Sequence, residues 1–179
     1  MILGRGSILA LAALVWSLAP LAAATPGPLQ TSLEYSVKAN YLVRFAAFVE
    51  WPSQSFADSR SPVVICVAGR DPFDGALERA ARAQTAHGRA LAVRRPRTAE
   101  ATAGCHILYI GRGGGSLVPS SPRPILLVSD GAVSPDRGMV HFVVDDDRVR
   151  FHIDLQAASR GRLSISSRLL NLALSVRGG

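Results

Sequence analysis

Two histidines in the C-terminal half of the chain have the residue type and spacing of a ligand site. The segment 139–154 alternates apolar and polar residues around an Asp-Asp pair at 146–147, the pattern of a β-hairpin with a two-residue turn. In that register His141 lies opposite His152, and Asp154 follows on the same face. Two imidazoles and a carboxylate can bind a transition metal, and a histidine pair can respond to pH. The alternative is two unrelated sheet histidines that bind nothing.

The other face of the same hairpin is apolar and supports this register. Its cross-strand pairs are Val144 with Val149, Phe142 with Phe151, and Val140 with Ile153. All six side chains share one face, since successive residues of a strand point to opposite faces of the sheet. A bulge or a longer turn would shift this pairing.

An amphipathic helix is predicted over Leu33–Pro52. Its apolar positions recur at helical spacing: Leu33, Val37, Tyr41, Phe45, Phe48 and Val49. The polar side chains expected in solvent are Glu34, Lys38, Arg44 and Glu50. Thr31 or Ser32 is expected to cap the helix, and Pro52 to end it. The stripe indicates a core helix packed on a sheet, with a partner-binding helix as the alternative.

Short apolar runs predict the strands of this sheet. Val63–Ala68 is continuous and β-branched, as in a strand buried on both faces of a parallel sheet. Further strands are expected at Leu91–Arg94, His106–Ile110 and Ile125–Ser129, before the hairpin, with a last helix from Ser166 to Val176. This order predicts an α/β fold: one domain over residues 33–179, with a mixed sheet of about five or six strands flanked by helices.

The first 24 residues have the features of a cleavable signal peptide. Arg5 supplies a positive charge, Ile8–Leu18 is a short apolar core, and three alanines end the segment at Ala24. Cleavage is expected after Ala24, which leaves residues 25–32 as a tether. An uncleaved membrane anchor is the alternative, although the apolar run is short for a membrane-spanning helix. We therefore expect the mature chain outside the cytoplasm, which in a bacterium means the cell envelope.

Export decides how the two cysteines are interpreted. In an oxidising compartment Cys66 and Cys105 are expected to form a disulfide, and two cysteines without a CxxC motif are too few for a structural zinc site. The sequence also contains no G-x-S-x-G or HExxH motif. We expect no catalytic residue, no cofactor and no enzymatic activity.

The glycine-rich segment Gly111–Pro124 raises the possibility of a phosphate-binding loop, because backbone N–H groups can converge on an anion. The segment lacks a Lys-Ser/Thr pair and a GxGxxG motif, and prolines follow it instead of a helix. A flexible connector is therefore expected.

The formal charge of +7 comes almost entirely from arginine, since Lys38 is the only lysine. The arginines are scattered, with one cluster at 94–97, and they do not alternate with aromatic residues as in a nucleic-acid-binding surface. No nucleic acid is expected as a partner. A mild attraction to anionic surfaces of the cell envelope fits the charge better.

Three blocks of sequence, in this order, resemble the YfiR family of bacterial periplasmic proteins. They are EYSVKANYLVRFAAFVEWP with VVICVAGRDPF, GCHILYIG with ILLVSD, and GMVHFVVDDDRVRFHIDL with LSISSRLLNLA. The resemblance extends from about Glu34 to about Val176. It implies an α/β domain and places Cys66 and Cys105 where the family has a structural disulfide.

The resemblance also implies a function. The characterised member forms a homodimer and represses an inner-membrane diguanylate cyclase by binding its periplasmic domain, which restrains cyclic-di-GMP synthesis and biofilm formation. This chain departs from it in lacking a second cysteine pair, and in its glycine-rich segment after His106–Ile110, where relatives have a helix. The alternative is a periplasmic small-molecule or metal-binding sensor module, with His141, His152 and Asp154 as the binding residues.

Overall fold

A computed structural model of the chain describes residues 27–133 and 138–178. The signal peptide predicted over residues 1–24, its cleavage after Ala24 and the first two tether residues lie outside these ranges. None of the helices described is both long and apolar enough to cross a membrane.

The elements of secondary structure alternate along the chain as an α/β fold requires. In chain order they are α1 (Pro28–Phe48), β1 (Val49–Glu50), β2 (Val63–Ala68), α2 (Ala76–Arg82), β3 (Thr85–Ala86), β4 (Arg89–Arg94), β5 (Ile107–Ile110), β6 (Leu126–Asp130), β7 (Val140–Asp145), β8 (Arg148–Asp154), α3 (Leu155–Arg160), β9 (Ser164–Ile165), α4 (Ser167–Leu170) and β10 (Ser175–Arg177). Short 3-10 turns occur at Ser53–Ser55, Glu100–Thr102 and Gly115–Leu117.

A mixed sheet of eight strands forms the centre of the domain, in the order β10-β8-β7-β6-β5-β2-β4-β3. Neighbouring strands run parallel except in the β7–β8 hairpin and the β3–β4 pair. A second, two-stranded sheet joins β1 to β9. The predicted mixed α/β fold is confirmed, with more strands than expected because the short strands β3 and β10 extend the two edges of the sheet.

The predicted hairpin is confirmed residue for residue. Val144 pairs with Val149, Phe142 with Phe151, and His141 with His152. The turn residues Asp146 and Asp147 have φ angles of +47° and +56°. Two successive positive φ angles are typical of the tight turns whose twist matches that of the flanking strands.

The end of the chain differs from the prediction. The last helix starts after its cap Ser166 but ends at Leu170 instead of continuing to Val176. Ser175–Arg177 instead forms β10, which pairs in parallel with residues 152–154 of β8. Pairing with an available sheet edge outweighs the helical spacing of the leucines, because strand formation depends on tertiary partners.

Helix α1 is displaced towards the N-terminus relative to the prediction. It starts at Pro28 after Gly27, so that neither Thr31 nor Ser32 is the cap and residues 28–32 of the predicted tether are helical. Proline is well suited to the first turn of a helix, since its missing N–H has no partner there. The helix ends at Phe48 because Val49 turns into β1, where it pairs with Ile165 of β9.

Helices α1 and α2 cover one face of the sheet, where the main core lies. Tyr41 and Phe45 of α1 form an aromatic cluster with Phe142 and Phe151 of the hairpin, with ring centroids 5.2 to 6.5 Å apart. A smaller cluster lies on the other face: Val64, Cys66, Ala68, Cys105, Leu108 and Ile125. The continuous apolar run of β2 is explained by its burial between these two clusters.

Candidate functional site

The structure places the two predicted ligand histidines side by side. His141 and His152 lie directly opposite each other, with ring centroids 6.5 Å apart and ring planes 21° from parallel. Nδ1 of His141 lies 2.7 Å from Oγ of Ser129 on β6, and Nδ1 of His152 lies 2.6 Å from Oγ of Ser175 on β10. Each imidazole therefore links its strand to a further strand of the sheet.

Asp154, the third predicted ligand, serves a structural role at the end of β8. Its Oδ1 accepts the N–H of Ala157 at 2.9 Å and so caps α3, and its Oδ2 forms an ion pair with Arg177. These interactions lower the pKa of the carboxyl, with the Ala157 hydrogen bond as the main cause. Both oxygens are thus engaged in contacts within the domain, and each keeps a second lone pair.

A cavity of about 120 Å³ lies beside His141, His152, Asp154 and Arg177. Across residues 27–133 and 138–178 the structure contains no group of three or more His, Cys, Asp or Glu side chains arranged to hold a metal ion. Ligand binding at His141, His152 and Asp154 stays a prediction.

Sequence reasoning missed a buried ionic cluster where α1 crosses the ends of β5 and β6. Nζ of Lys38 lies 2.7 Å from Oδ2 of Asp130, and the two side chains are 0% and 1% exposed. Nζ also contacts the carboxylate of Glu34 one turn earlier, and it lies 4.7 Å from the centre of the Tyr35 ring. The hydroxyl of Tyr109 donates to Oδ2 of Asp130 at 2.8 Å.

Tyr109 remains a hydrogen-bond donor in this cluster. Burial is the main cause that raises the pKa of its phenol far above the ordinary value, and the negative charge of Asp130 raises it further. The Asp130 carboxylate thus receives hydrogen bonds from Lys38, Tyr109 and, at its Oδ1, the N–H of Ala132. The arrangement satisfies a buried charge and fixes α1 to the sheet.

A pattern in the sequence does mark the buried position of Lys38. A stripe drawn back from Val49 through Phe45 and Leu42 reaches residue 38, with steps of four, three and four. All four of these side chains are fully buried. The predicted stripe shares Phe45 and Val49 with this one, but it continues to Val37 and Leu33, which are 36% and 67% exposed.

The predicted cysteine pair is joined in a disulfide in the structure. Cys66 lies on β2 and Cys105 lies just before β5, with their Cα atoms 5.8 Å apart and both side chains buried. The bridge closes a loop of 39 residues that contains α2, β3 and β4. It joins two neighbouring strands on the face of the sheet opposite α1.

His106, next to the disulfide, holds β2 to the segment before it. Its Nδ1 accepts the N–H of Val64 at 3.0 Å, so its Nε2 carries the proton and donates to the carbonyl of Ser55 at 3.1 Å. The ring stacks on Phe56 with centroids 4.4 Å apart. Burial is the main cause that lowers the pKa of His106, and the neutral ring fits these contacts.

An apolar groove separates the N-terminal half of α1 from the tip of the β7–β8 hairpin. Its volume is about 620 Å³. Its apolar lining residues are Leu33, Val37 and Tyr41 on α1, Val144 and Val149 on the hairpin, and Leu172 beyond α4. The charged side chains along it are Glu34, Asp147, Arg148 and Arg150. We refer to this feature as the α1–hairpin groove.

Comparison with known protein families identifies the family of this chain. Residues 35–174, most of its length, match the family model described as YfiR/HmsC-like. The chain belongs to the YfiR/HmsC-like family. No curated protein matches it. The matched range contains both cysteines, Lys38, Asp130 and the predicted ligand residues.

The glycine-rich segment of this YfiR/HmsC-like domain packs on the end of β2 and is not a free connector. The N–H of Gly111 donates to the carbonyl of Ala68 at 2.8 Å, and the N–H of Gly114 donates to the carbonyl of Gly111 at 2.9 Å. A Cβ on Gly114 would lie 2.5 Å from the carbonyl oxygen of Ala68. Glycine is thus needed for close backbone packing, and these two N–H groups are not available to an anion.

Proposed function

We propose that this chain is a non-catalytic periplasmic regulator that binds the periplasmic domain of an inner-membrane diguanylate cyclase and represses cyclic-di-GMP synthesis. The observation that carries the proposal is the match of residues 35–174 to the YfiR/HmsC-like family. The YfiR family is regulatory, and its characterised member represses such a cyclase. The signal-peptide pattern of residues 1–24 supports export to the same compartment.

The geometry of the domain supports binding over catalysis. His106 and Asp154 are committed to hydrogen bonds that hold strands, turns and a helix in place. The α1–hairpin groove, in contrast, exposes apolar side chains on two different elements. Contiguous exposed apolar surface is typical of protein-binding sites.

The mechanism we infer is steric. The domain docks on the periplasmic part of the cyclase and holds the enzyme in an inactive arrangement. Only the folded domain presents the docking surface, so partner binding and folding stability are linked. Reduction of the Cys66–Cys105 bridge lowers the population of the folded domain and thereby releases the partner. A homodimer, as in the characterised member, is part of the same proposal.

Deletion of the gene in its native host tests this function. We expect intracellular cyclic-di-GMP and surface attachment to rise. Complementation with the exported protein restores both, whereas a version that lacks residues 1–24 stays in the cytoplasm and restores neither. Unchanged cyclic-di-GMP in the deletion strain would contradict the proposal.

A further inference from the structure

Another cavity lies between the loop that precedes β6 and the end of α3. Its volume is about 230 Å³, which is below the range typical of sites for drug-sized ligands. Part of its lining is apolar: Ile125 and Met139 are buried, and Leu127 and Ala157 are half-buried. We refer to it as the β6–α3 cavity. Its size and its apolar lining suit a small organic molecule.

The charged residues that line the β6–α3 cavity are two arginines, Arg123 and Arg160. Both side chains are exposed. Within residues 27–133 and 138–178, neither guanidinium forms an ion pair or donates a hydrogen bond. The lining contains no acidic residue, so its charged side chains are all positive.

Two carboxylates outside the lining interact with these arginines over a longer distance. Glu100 is influenced by the charge of Arg123, and Asp154 by the charge of Arg160. Asp154 already forms an ion pair with Arg177. Counted once each, three arginines thus face two carboxylates, and one positive charge is left without an opposite charge.

The two arginines lie on segments of the chain that touch each other. An added Cβ at Gly161 would lie 3.2 Å from the carbonyl oxygen of Arg123, so the residue after Arg160 packs on the backbone at position 123. Prolines at positions 122 and 124 restrict the φ angles of this loop. The loop that carries Arg123 is therefore held in place before any ligand binds, which lowers the entropy cost of binding.

We infer that the β6–α3 cavity binds a small organic anion, with its charged group between Arg123 and Arg160 and its apolar body against the apolar lining. Guanidinium groups suit carboxylate and phosphate groups, because their N–H groups can pair with two oxygens at once. The hydroxyls of Ser120 and Ser121, which also line the cavity, can donate two further hydrogen bonds. Such binding needs no partner protein and is independent of the proposed function.

The alternative gives each arginine a separate role. Arg160 lies in the last turn of α3, where a cation complements the partial negative charge of the helix C-terminus. Arg123, however, lies outside the helices. Separate roles do not explain why both arginines line one cavity whose lining lacks an acidic residue.

Met139 provides a reporter inside the cavity. Met1 and Met139 are the only methionines of the chain, and Met1 belongs to the predicted signal peptide. Carbon-13 labelling of the methionine methyl group in the exported protein therefore reports on the cavity, and loss of the signal in Met139→Leu assigns it. NMR titrations use hexyl phosphate and hexanoate as organic anions, with inorganic phosphate as the charge alone and hexanol as the apolar body alone.

We expect a saturable shift of the Met139 signal with at least one of the two organic anions. Inorganic phosphate and hexanol should bind at least about tenfold more weakly, since each lacks half of the contacts. Arg123→Gln and Arg160→Gln should each weaken binding of the organic anion roughly tenfold, because each removes hydrogen bonds to a charged group.

Arg82→Gln is the matched control. Arg82 is also an exposed arginine in the last turn of a short helix, α2, but it lies outside the lining of the cavity. This variant should bind the organic anion like the wild type. The melting temperatures of the three Arg→Gln variants should equal that of the wild type, since none of these arginines forms an ion pair in the described ranges.

Four outcomes would overturn the inference. The first is the absence of a saturable shift with either organic anion. The second is an affinity that Arg123→Gln and Arg160→Gln both leave unchanged. The third is equal affinity for hexanol, which would show that the cavity does not select a charge. The fourth is equal affinity for inorganic phosphate, which would show that the apolar lining takes no part.

Discussion

Lys38 on α1 and Asp130 at the end of β6 form an ion pair with Nζ and Oδ2 2.7 Å apart, and solvent reaches almost none of either side chain. The two residues are 92 positions apart in sequence. A buried ion pair adds little stability over a well-packed apolar pair, because both charges lose their hydration. It does, however, specify how its two elements fit together, since any other rotation of α1 leaves a buried charge without a partner.

Lys38→Met tests this role. The substitution keeps much of the side-chain volume but leaves the Asp130 carboxylate buried without its cation. We expect the free energy of unfolding to fall by about 3–5 kcal/mol, measured by urea denaturation.

Two variants at the same cluster provide controls. Glu34→Gln changes a partly exposed partner of Lys38 and should reduce stability by less than about 1 kcal/mol. Adding Asp130→Asn to Lys38→Met removes the stranded charge and should recover part of the loss. A Lys38→Met protein as stable as the wild type would show that the pair does not hold α1.

Replacement of both cysteines by alanine should destabilise the domain by about 4 kcal/mol. The bridge closes a 39-residue loop, and its loss returns the conformational entropy of that loop to the unfolded chain. Urea denaturation with and without reductant measures the effect. The wild type should lose a similar amount on reduction, whereas the double variant should not respond to reductant.

The same variant tests the redox part of the proposed mechanism. Weaker repression in the host should accompany the loss of stability, because fewer molecules are folded. If Cys66→Ala with Cys105→Ala keeps both its melting temperature and full repression, the disulfide does not control release of the partner.

His106 should make stability depend on pH below neutrality. Its folded-state pKa is lowered from the ordinary value of 6.5, mainly by burial. The unfolded chain therefore binds the proton more readily, and stability rises with pH. This contribution is complete above about pH 6.5 and is lost as the pH falls from there towards the lowered pKa.

The measurement is the free energy of unfolding at several pH values between about 5 and 7.5, for the wild type and His106→Gln. We expect a flatter profile in the variant, since Gln has no proton to gain in this range. Titration of the His106 ring by NMR gives its pKa without any substitution. A pKa at or above 6.5 would contradict the prediction.

Gly114 and Gly115 form a matched pair of neighbours for testing the glycine-rich segment. A Cβ on Gly114 meets the backbone of Ala68, whereas a Cβ on Gly115 meets nothing within 4 Å. Gly114→Ala should lower the free energy of unfolding by about 1–3 kcal/mol. Gly115→Ala should change it by no more than about 0.5 kcal/mol. Equal effects at the two positions would show that the segment does not pack on β2.

Patterns within a short stretch of sequence were enough to predict the elements whose geometry depends on neighbouring residues. The register of the β7–β8 hairpin follows from its turn and from period-two alternation, so the pairing of His141 with His152 was predictable. The serines that contact them lie on β6 and β10, and no pattern in the hairpin specifies which strands become its neighbours. The candidate ligand pair was thus identified, but its structural hydrogen bonds were not.

The buried face of α1 was harder to predict, because two apolar stripes run along this helix. Both include Phe45 and Val49, but towards the N-terminus one continues through Val37 and Leu33 and the other through Leu42 and Lys38. Which stripe meets the sheet depends on how the helix crosses it. Lys38 was expected in solvent, and this expectation favoured the stripe through Val37 and Leu33. Its partner could not be predicted, because only the order of the strands in the sheet places Asp130 next to Lys38. The α1–hairpin groove was not predicted for the same reason.

The pairing of β1 with β9 has a consequence for the timing of folding. Val49 pairs with Ile165, and the N–H of Ser166 donates to the carbonyl of Phe48 at 2.9 Å. The end of the first helix is thus held by residues that follow it by more than about 100 positions in the chain. Contacts between such distant positions form slowly. A nascent chain synthesised from its N-terminus therefore cannot complete the domain until the segment 164–166 is available to pair with β1.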